Sequence, residues 1–133
     1  MENEQRNYTR YVARKDTFAV LRSSFEKIGR VMDISINGLS FIYLSAEGKD
    51  EYPLQVDIFL TENGYHLYRI PCRIVYDHQI IKDKTEFASK YRRCGLSFEE
   101  LTEKKENELK RFLKNNNMGT VNDNGVPLIQ IIK

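Results

Sequence analysis

The sequence predicts a mainly β domain, a small antiparallel six-stranded β-barrel with one C-terminal α-helix. Three observations carry that expectation. Apolar residues recur at every second position in several short runs. Asn-Gly dipeptides at 37–38 and 63–64 punctuate two of them as hairpin tips, because both residue types tolerate positive φ. The pattern turns helical only once, after Thr102.

The N-terminal residues 1–16 show no apolar period and carry Arg6, Arg10, Arg14 and Lys15, so they read as a flexible basic arm. Residues 17–114 would hold the barrel and its helix. A first strand runs from Thr17 to Ser23, and a turn over 24–29 leads into the next strand. There Met32, Ile34 and Ile36 are expected on the core side, with Val31, Asp33 and Ser35 opposite. After the Asn37-Gly38 tip, Leu39, Phe41 and Tyr43 share the buried face of the returning strand.

Leu54, Val56, Ile58 and Leu60 form a third alternating set. The long run from Tyr65 to Tyr76 contains Pro71, which implies an edge position or a bulge. Residues 77–86 read as a polar loop. Extended alternation then resumes, with Cys94, Leu96 and Phe98 on one side and Gly95 and Ser97 on the other. Thr102 suits an N-cap, Glu103 and Glu106 suit the helix dipole, and Leu109, Phe112 and Leu113 make the apolar stripe. Residues 115–133 read as a flexible tail with one short apolar segment, Val126-Pro-Leu-Ile-Gln-Ile-Ile132, which needs a surface to pack on.

Composition narrows the function classes. Hydrophobic residues at 41% and charged residues at 30% fit a globular chain of 133 residues with one core. No apolar run approaches a membrane span, and the polar N-terminus is neither signal nor transit peptide, so a cytoplasmic address is expected. Cys72 and Cys94 are expected as buried free thiols. The net charge of +2 is unevenly placed: residues 1–32 hold seven basic and four acidic side chains, the remainder 14 and 15. Positive charge therefore gathers ahead of Asp33, where it could meet an anion.

Neither histidine has a neighbouring nucleophile pattern, and no glycine-rich phosphate loop occurs, so no enzymatic activity is expected. His66, Cys72 and His78 have even spacing, but six residues of strand span about 20 Å, too far to share one metal. No metal site or cofactor follows.

Three short motifs stand in order. Arg6-Asn-Tyr-Thr-Arg10 has the form RxxxR. Asp33-Ile-Ser-Ile-Asn-Gly38 has the form DxSxxG and follows after 22 residues containing one strand. Cys94-Gly-Leu-Ser-Phe-Glu-Glu-Leu101 precedes the helix. Together they resemble the PilZ domain, a bacterial receptor module for the second messenger cyclic di-GMP, over about residues 5–114. Arg10-Tyr-Val-Ala-Arg14 also fits RxxxR, leaving two registers, of which Arg6/Arg10 runs more naturally into the first strand.

The resemblance implies a cyclic di-GMP receptor whose ligand is held by Arg6, Arg10, Asp33, Ser35 and Gly38, with Gln5, Asn37 and Arg14 as secondary candidates. The arm would order over the ligand and alter contacts with a downstream protein. Gln5 lacks the charge that accompanies a stacked ligand pair in the family, so one ligand per site is expected. The chemistry is independently sensible. Guanidinium forks hold phosphate or the guanine O6/N7 edge, and a carboxylate accepts from guanine N–H groups. Two other readings are an adaptor that binds no nucleotide and a single-stranded nucleic-acid barrel using Arg92, Arg93 and Tyr91. Near-neutral charge outside the arm makes the nucleic-acid reading the lesser one.

Overall fold

Alternation with a period of two builds most of the chain, and the computed structural model describes residues 8–23, 27–44, 52–80 and 91–121. The elements are β1 (Tyr11–Ala13), β2 (Thr17–Arg22), β3 (Lys27–Ser35), β4 (Gly38–Leu44), β5 (Leu54–Leu60), β6 (His66–Gln79), β7 (Tyr91–Phe98), α1 (Glu103–Asn115) and β8 (Asn117–Thr120). Strand order is β2-β5-β6-β7-β4-β3, closed by β2–β3 pairing, and all described pairings are antiparallel. Closure leaves these six strands without a free lateral edge. The expected six-stranded barrel with one C-terminal helix is the observed fold.

Two further strands lie in the segments read as arm and tail. The first half of β3 pairs with β2 and its second half with β1, through Tyr11↔Ile34 and Val12↔Asp33. In turn, β1 carries β8. The arm thus enters the sheet beside Asp33.

The core fills the barrel with the predicted sets: Leu39, Phe41 and Tyr43 of β4, Leu54, Val56, Ile58 and Leu60 of β5, and Cys94, Leu96 and Phe98 of β7 are all buried. Both cysteines are free thiols inside, and burial pushes the Cys72 thiol up to about 12. The helix begins as its sequence indicates, with Thr102 Oγ1 accepting from Lys105 N–H at 3.1 Å. Its buried Leu109, Phe112 and Leu113 cover one barrel mouth, where Phe112 stacks on Tyr65. At the other mouth Tyr43, Asp77, Arg92 and Lys27 form a polar closure.

Four expectations need correction. First, β3 contains a bulge. Val31 pairs with Phe41 and Asp33 with Ser40, so Met32 is the extra residue. Val31 is therefore fully buried beside Ile34, and Met32 only partly; a strict two-residue period carried through this point inverts them. Second, Gly38 is not a positive-φ turn residue. Ser35 pairs with Gly38, the tip is Ile36-Asn37, and positive φ is confined to Arg69, Glu100, Gly64 and Gly119 among the described residues. Glycine is needed at 38 because a Cβ there would lie 2.2 Å from the Leu96 carbonyl oxygen of β7. Third, the turn expected over 24–29 is shorter, since β3 starts at Lys27. Fourth, β6 is an interior strand that runs on to Gln79. Pro71 is tolerated there because a bulge next to it, around the positive-φ Arg69, already interrupts the ladder.

Candidate ligand-binding site

The bulge at Met32 keeps Asp33 off the core side. Its carboxylate lies on the outer wall, largely covered, at 8% side-chain exposure. Two guanidiniums cover it. Arg10 Nη2 donates to Asp33 Oδ2 at 2.9 Å, and Arg93 Nη2 donates to the same oxygen at 3.0 Å. Arg93 also donates to the hydroxyl of Ser40, a buried serine of β4, at 2.9 Å. Arg10 comes from the chain just before β1, and Arg93 from β7 two strands away. One oxygen thus joins a segment outside the barrel to the barrel wall.

Only one nitrogen of each guanidinium is engaged in this arrangement. The other N–H donors of Arg10 and Arg93 have no hydrogen-bond acceptor among the described residues. A cationic fork with free donors, held beside a carboxylate, is suited to a ligand with both phosphate oxygens and N–H groups.

Ser35 and Asn37 do something different. Ser35 Oγ donates to Asn37 Oδ1 at 2.6 Å and accepts from Asn37 N–H at 3.2 Å. Asn37 C=O accepts from Phe98 N–H at 2.8 Å. These bonds fix the hairpin tip against β7, and Gly38 allows that approach. The structure therefore unites Arg10 with Asp33 and places Ser35, Asn37 and Gly38 beside them as the frame of the tip.

Arg14 is held elsewhere. It grips Asp16 through both carboxylate oxygens at 3.0 and 3.1 Å, and also reaches Glu62 at 3.2 Å and Asn116 at 3.1 Å. Arg6 and Gln5 lie outside the described residues. Of the three residues weighed for a metal, Cys72 points into the core, whereas His66 and His78 are more exposed.

One partner of Asp33, Arg93, was not legible in the motifs. The inward set of Cys94, Leu96 and Phe98 places Arg93 on the outer face of β7. Nothing in the sequence says that β7 lies beside β4, which makes Arg93 a neighbour of Asp33 and Ser40.

Two other acids contrast with this site. Burial pushes Asp57 upward, yet hydrogen bonds from Arg22 at 2.8 Å and the Arg69 N–H at 2.8 Å, with His66 at 3.2 Å, hold its carboxyl below the ordinary value. Asp77 is likewise lowered against its burial, by Arg92 and Tyr43. The Tyr43 phenol is raised, first by burial and then by Asp77.

The covered carboxylate thus lies on the outer wall of a closed six-stranded barrel, between two cationic forks, one contributed by the arm. The sequence matches the family model of the PilZ domain over residues 4–115, and the chain belongs to that family. Among solved structures it is similar to the PilZ domain of YcgR from Escherichia coli with c-di-GMP, at TM-score 0.62 and 15% identity, covering 85% of this chain and 92% of that one. It is also similar to YcgR from Escherichia coli in complex with c-di-GMP, with the same TM-score and identity, covering 84% of this chain. There the chain spans only 46% of the other chain's length. No curated protein matches the sequence. No helix among the described residues is long and apolar enough to cross a membrane.

Proposed function

We propose that the chain is a non-catalytic cyclic di-GMP receptor of the cytoplasm that acts by moving its N-terminal arm. The observation that carries this reading is the Arg10–Asp33 contact at 2.9 Å, which ties the RxxxR segment to the DxSxxG hairpin. Membership of the PilZ family and the fold shared with two c-di-GMP complexes support it.

In this reading Arg10, with Arg6, takes phosphate oxygens or the O6/N7 edge of a guanine. Asp33 accepts from guanine N–H groups, selecting guanine over adenine. Ser35, Asn37 and Gly38 hold the hairpin tip at the edge of the ligand, and Arg93 supplies another guanidinium from the barrel wall. Arg14 is already saturated by Asp16, Glu62 and Asn116, which favours the Arg6/Arg10 register. Ligand drawn between arm and barrel loosens Arg10 from Asp33, repositions β1 and changes the surface offered to a downstream protein. One ligand occupies each site, because Gln5 brings no charge for a second.

Calorimetric titration of the full chain with cyclic di-GMP tests the reading. The wild type binds with a stoichiometry of one. Arg10→Ala loses roughly one to two orders of magnitude in affinity, as expected for a charge-assisted hydrogen bond of about 1.5–3 kcal/mol. Absence of heat with the wild type would sink the proposal.

A further inference from the structure

Thr9 and Tyr11, the sequence neighbours of Arg10, line a groove of about 480 Å³. The arm contributes Tyr8 and Tyr11, the hairpin tip Ile36, and the C-terminal half of α1 Lys110, Leu113 and Lys114. Ile36, Leu113 and Tyr11 give it an apolar floor, and among the described residues that line it the charges are the two lysines, with no carboxylate. Lys110 is paired only with Glu106, at 3.5 Å and largely in solvent, a contact of little strength. Lys114 has no ion-pair partner among the described residues. An apolar floor under two available ammonium groups is complementary to an acidic chain with apolar anchors.

The groove is continuous with the ligand-holding arm. Arg10 faces Asp33, while its neighbours Thr9 and Tyr11 line the groove. The Arg10 carbonyl accepts from Val121 N–H at 3.0 Å, just beyond β8, and Asn117 of β8 lines the groove too. Moving Arg10 therefore moves one wall directly and reaches a second through β8, whose described pairing is to β1 alone.

We propose that the groove between residues 8–11 and the C-terminal half of α1 docks an acidic segment with apolar anchors from a partner protein, its width set by the arm. The first half of this proposal stands on the groove itself; the second rests on the cyclic di-GMP reading. The occupant is a partner segment rather than residues 126–132 of this chain, because those residues contain no carboxylate to answer the lysines.

The test is a methyl and amide NMR titration of the full chain with a seven-residue peptide alternating glutamate and leucine. A control peptide carries lysine in place of glutamate. The acidic peptide is expected to shift Ile36, Leu113 and Asn117, and the lysine peptide is not. Lys110→Glu with Lys114→Glu weakens binding at least ~10-fold, and the Gln pair weakens it less, while cyclic di-GMP affinity stays within about twofold. Adding cyclic di-GMP changes peptide affinity by ~5-fold or more.

Shifts elsewhere, no shifts, equal response to both peptides, or indifference to both lysine pairs would overturn the docking proposal. So would NOEs from Leu113 to residues 126–132 in the free chain. Unaltered peptide affinity in nucleotide-saturated protein overturns the coupling alone. Should the chain take no cyclic di-GMP, the receptor reading fails and the nucleotide-free titration still decides the docking.

Discussion

Asp33 and Asp77 are both covered carboxylates bound to arginines, yet they are held in different ways. At Asp77 every partner belongs to the barrel. Tyr43 reaches both carboxylate oxygens at 2.9 and 2.7 Å, and Arg92 donates to Oδ1 at 2.8 Å and to the Asp77 carbonyl at 2.7 Å. Lys27 stands at 3.7 Å. That network ties together β3, β4, β6 and β7. At Asp33 one oxygen serves two arginines through single nitrogens, and one of those arginines comes from the arm. The difference lies in where the donors come from. Acids whose partners all belong to the barrel hold it together, whereas the acid that also takes a partner from the arm is the one whose ion pair a ligand can exchange in the proposed reading.

Removing a structural acid is the harshest way to probe this contrast. Asp57, wholly buried beneath Arg22 and His66, is likewise held from within the barrel. Asp57→Ala leaves an orphaned Arg69 N–H and an uncompensated guanidinium. It is expected to cost about 3 kcal/mol and lower Tm by roughly 10 °C in a thermal melt. Asp33→Ala should behave the other way round. Its arginines, 22% and 32% exposed, can be resolvated, so stability falls by about 1 kcal/mol while calorimetric affinity for cyclic di-GMP falls roughly 10- to 100-fold. A Tm loss at Asp33 equal to that at Asp57 would erase the distinction.

Acid titration asks the same question more gently. The Asp57 and Asp77 carboxyls lie below their ordinary values in the folded chain. Their contribution is therefore complete above the unfolded value of about 3.9 and is lost as pH falls through the lower folded values. Tm should drop steeply below about pH 4 in the wild type and less steeply in Asp57→Asn. The mildest comparison is between the two arginines of the overlapping motif. Arg14→Ala should cost about 1 kcal/mol of stability, by loss of its Asp16 and Asn116 contacts, and leave nucleotide affinity within about twofold. Arg10→Ala should do the reverse.

Much of this was legible because it is local. A two-residue period gave β4, β5 and β7 with their buried sets, the Asn63-Gly64 tip was read correctly, with Gly64 at φ 73, and Thr102 with its 3.6-residue apolar stripe gave α1. The motifs also pair Arg10 with Asp33, as the structure does. Two of the misreadings depend on distant parts of the chain. A bulge at Met32 changes which side of β3 faces inward, in a strand whose pairing with β2, β1 and β4 no window of sequence contains. Gly38 looked like a turn glycine because its need for an absent side chain comes from Leu96, a residue 58 positions away.

The sequence by itself therefore determined most of the barrel strands, the helix, the barrel class and the pair of charged motifs, since propensity, period and capping act between residues a few positions apart. Only the tertiary structure decided which arginine of the overlapping motif meets Asp33, that Arg93 and Ser40 complete its surroundings, and that the arm forms a wall of a basic groove. Those outcomes depend on which strands become neighbours when the sheet closes, and closure is a property of the whole chain.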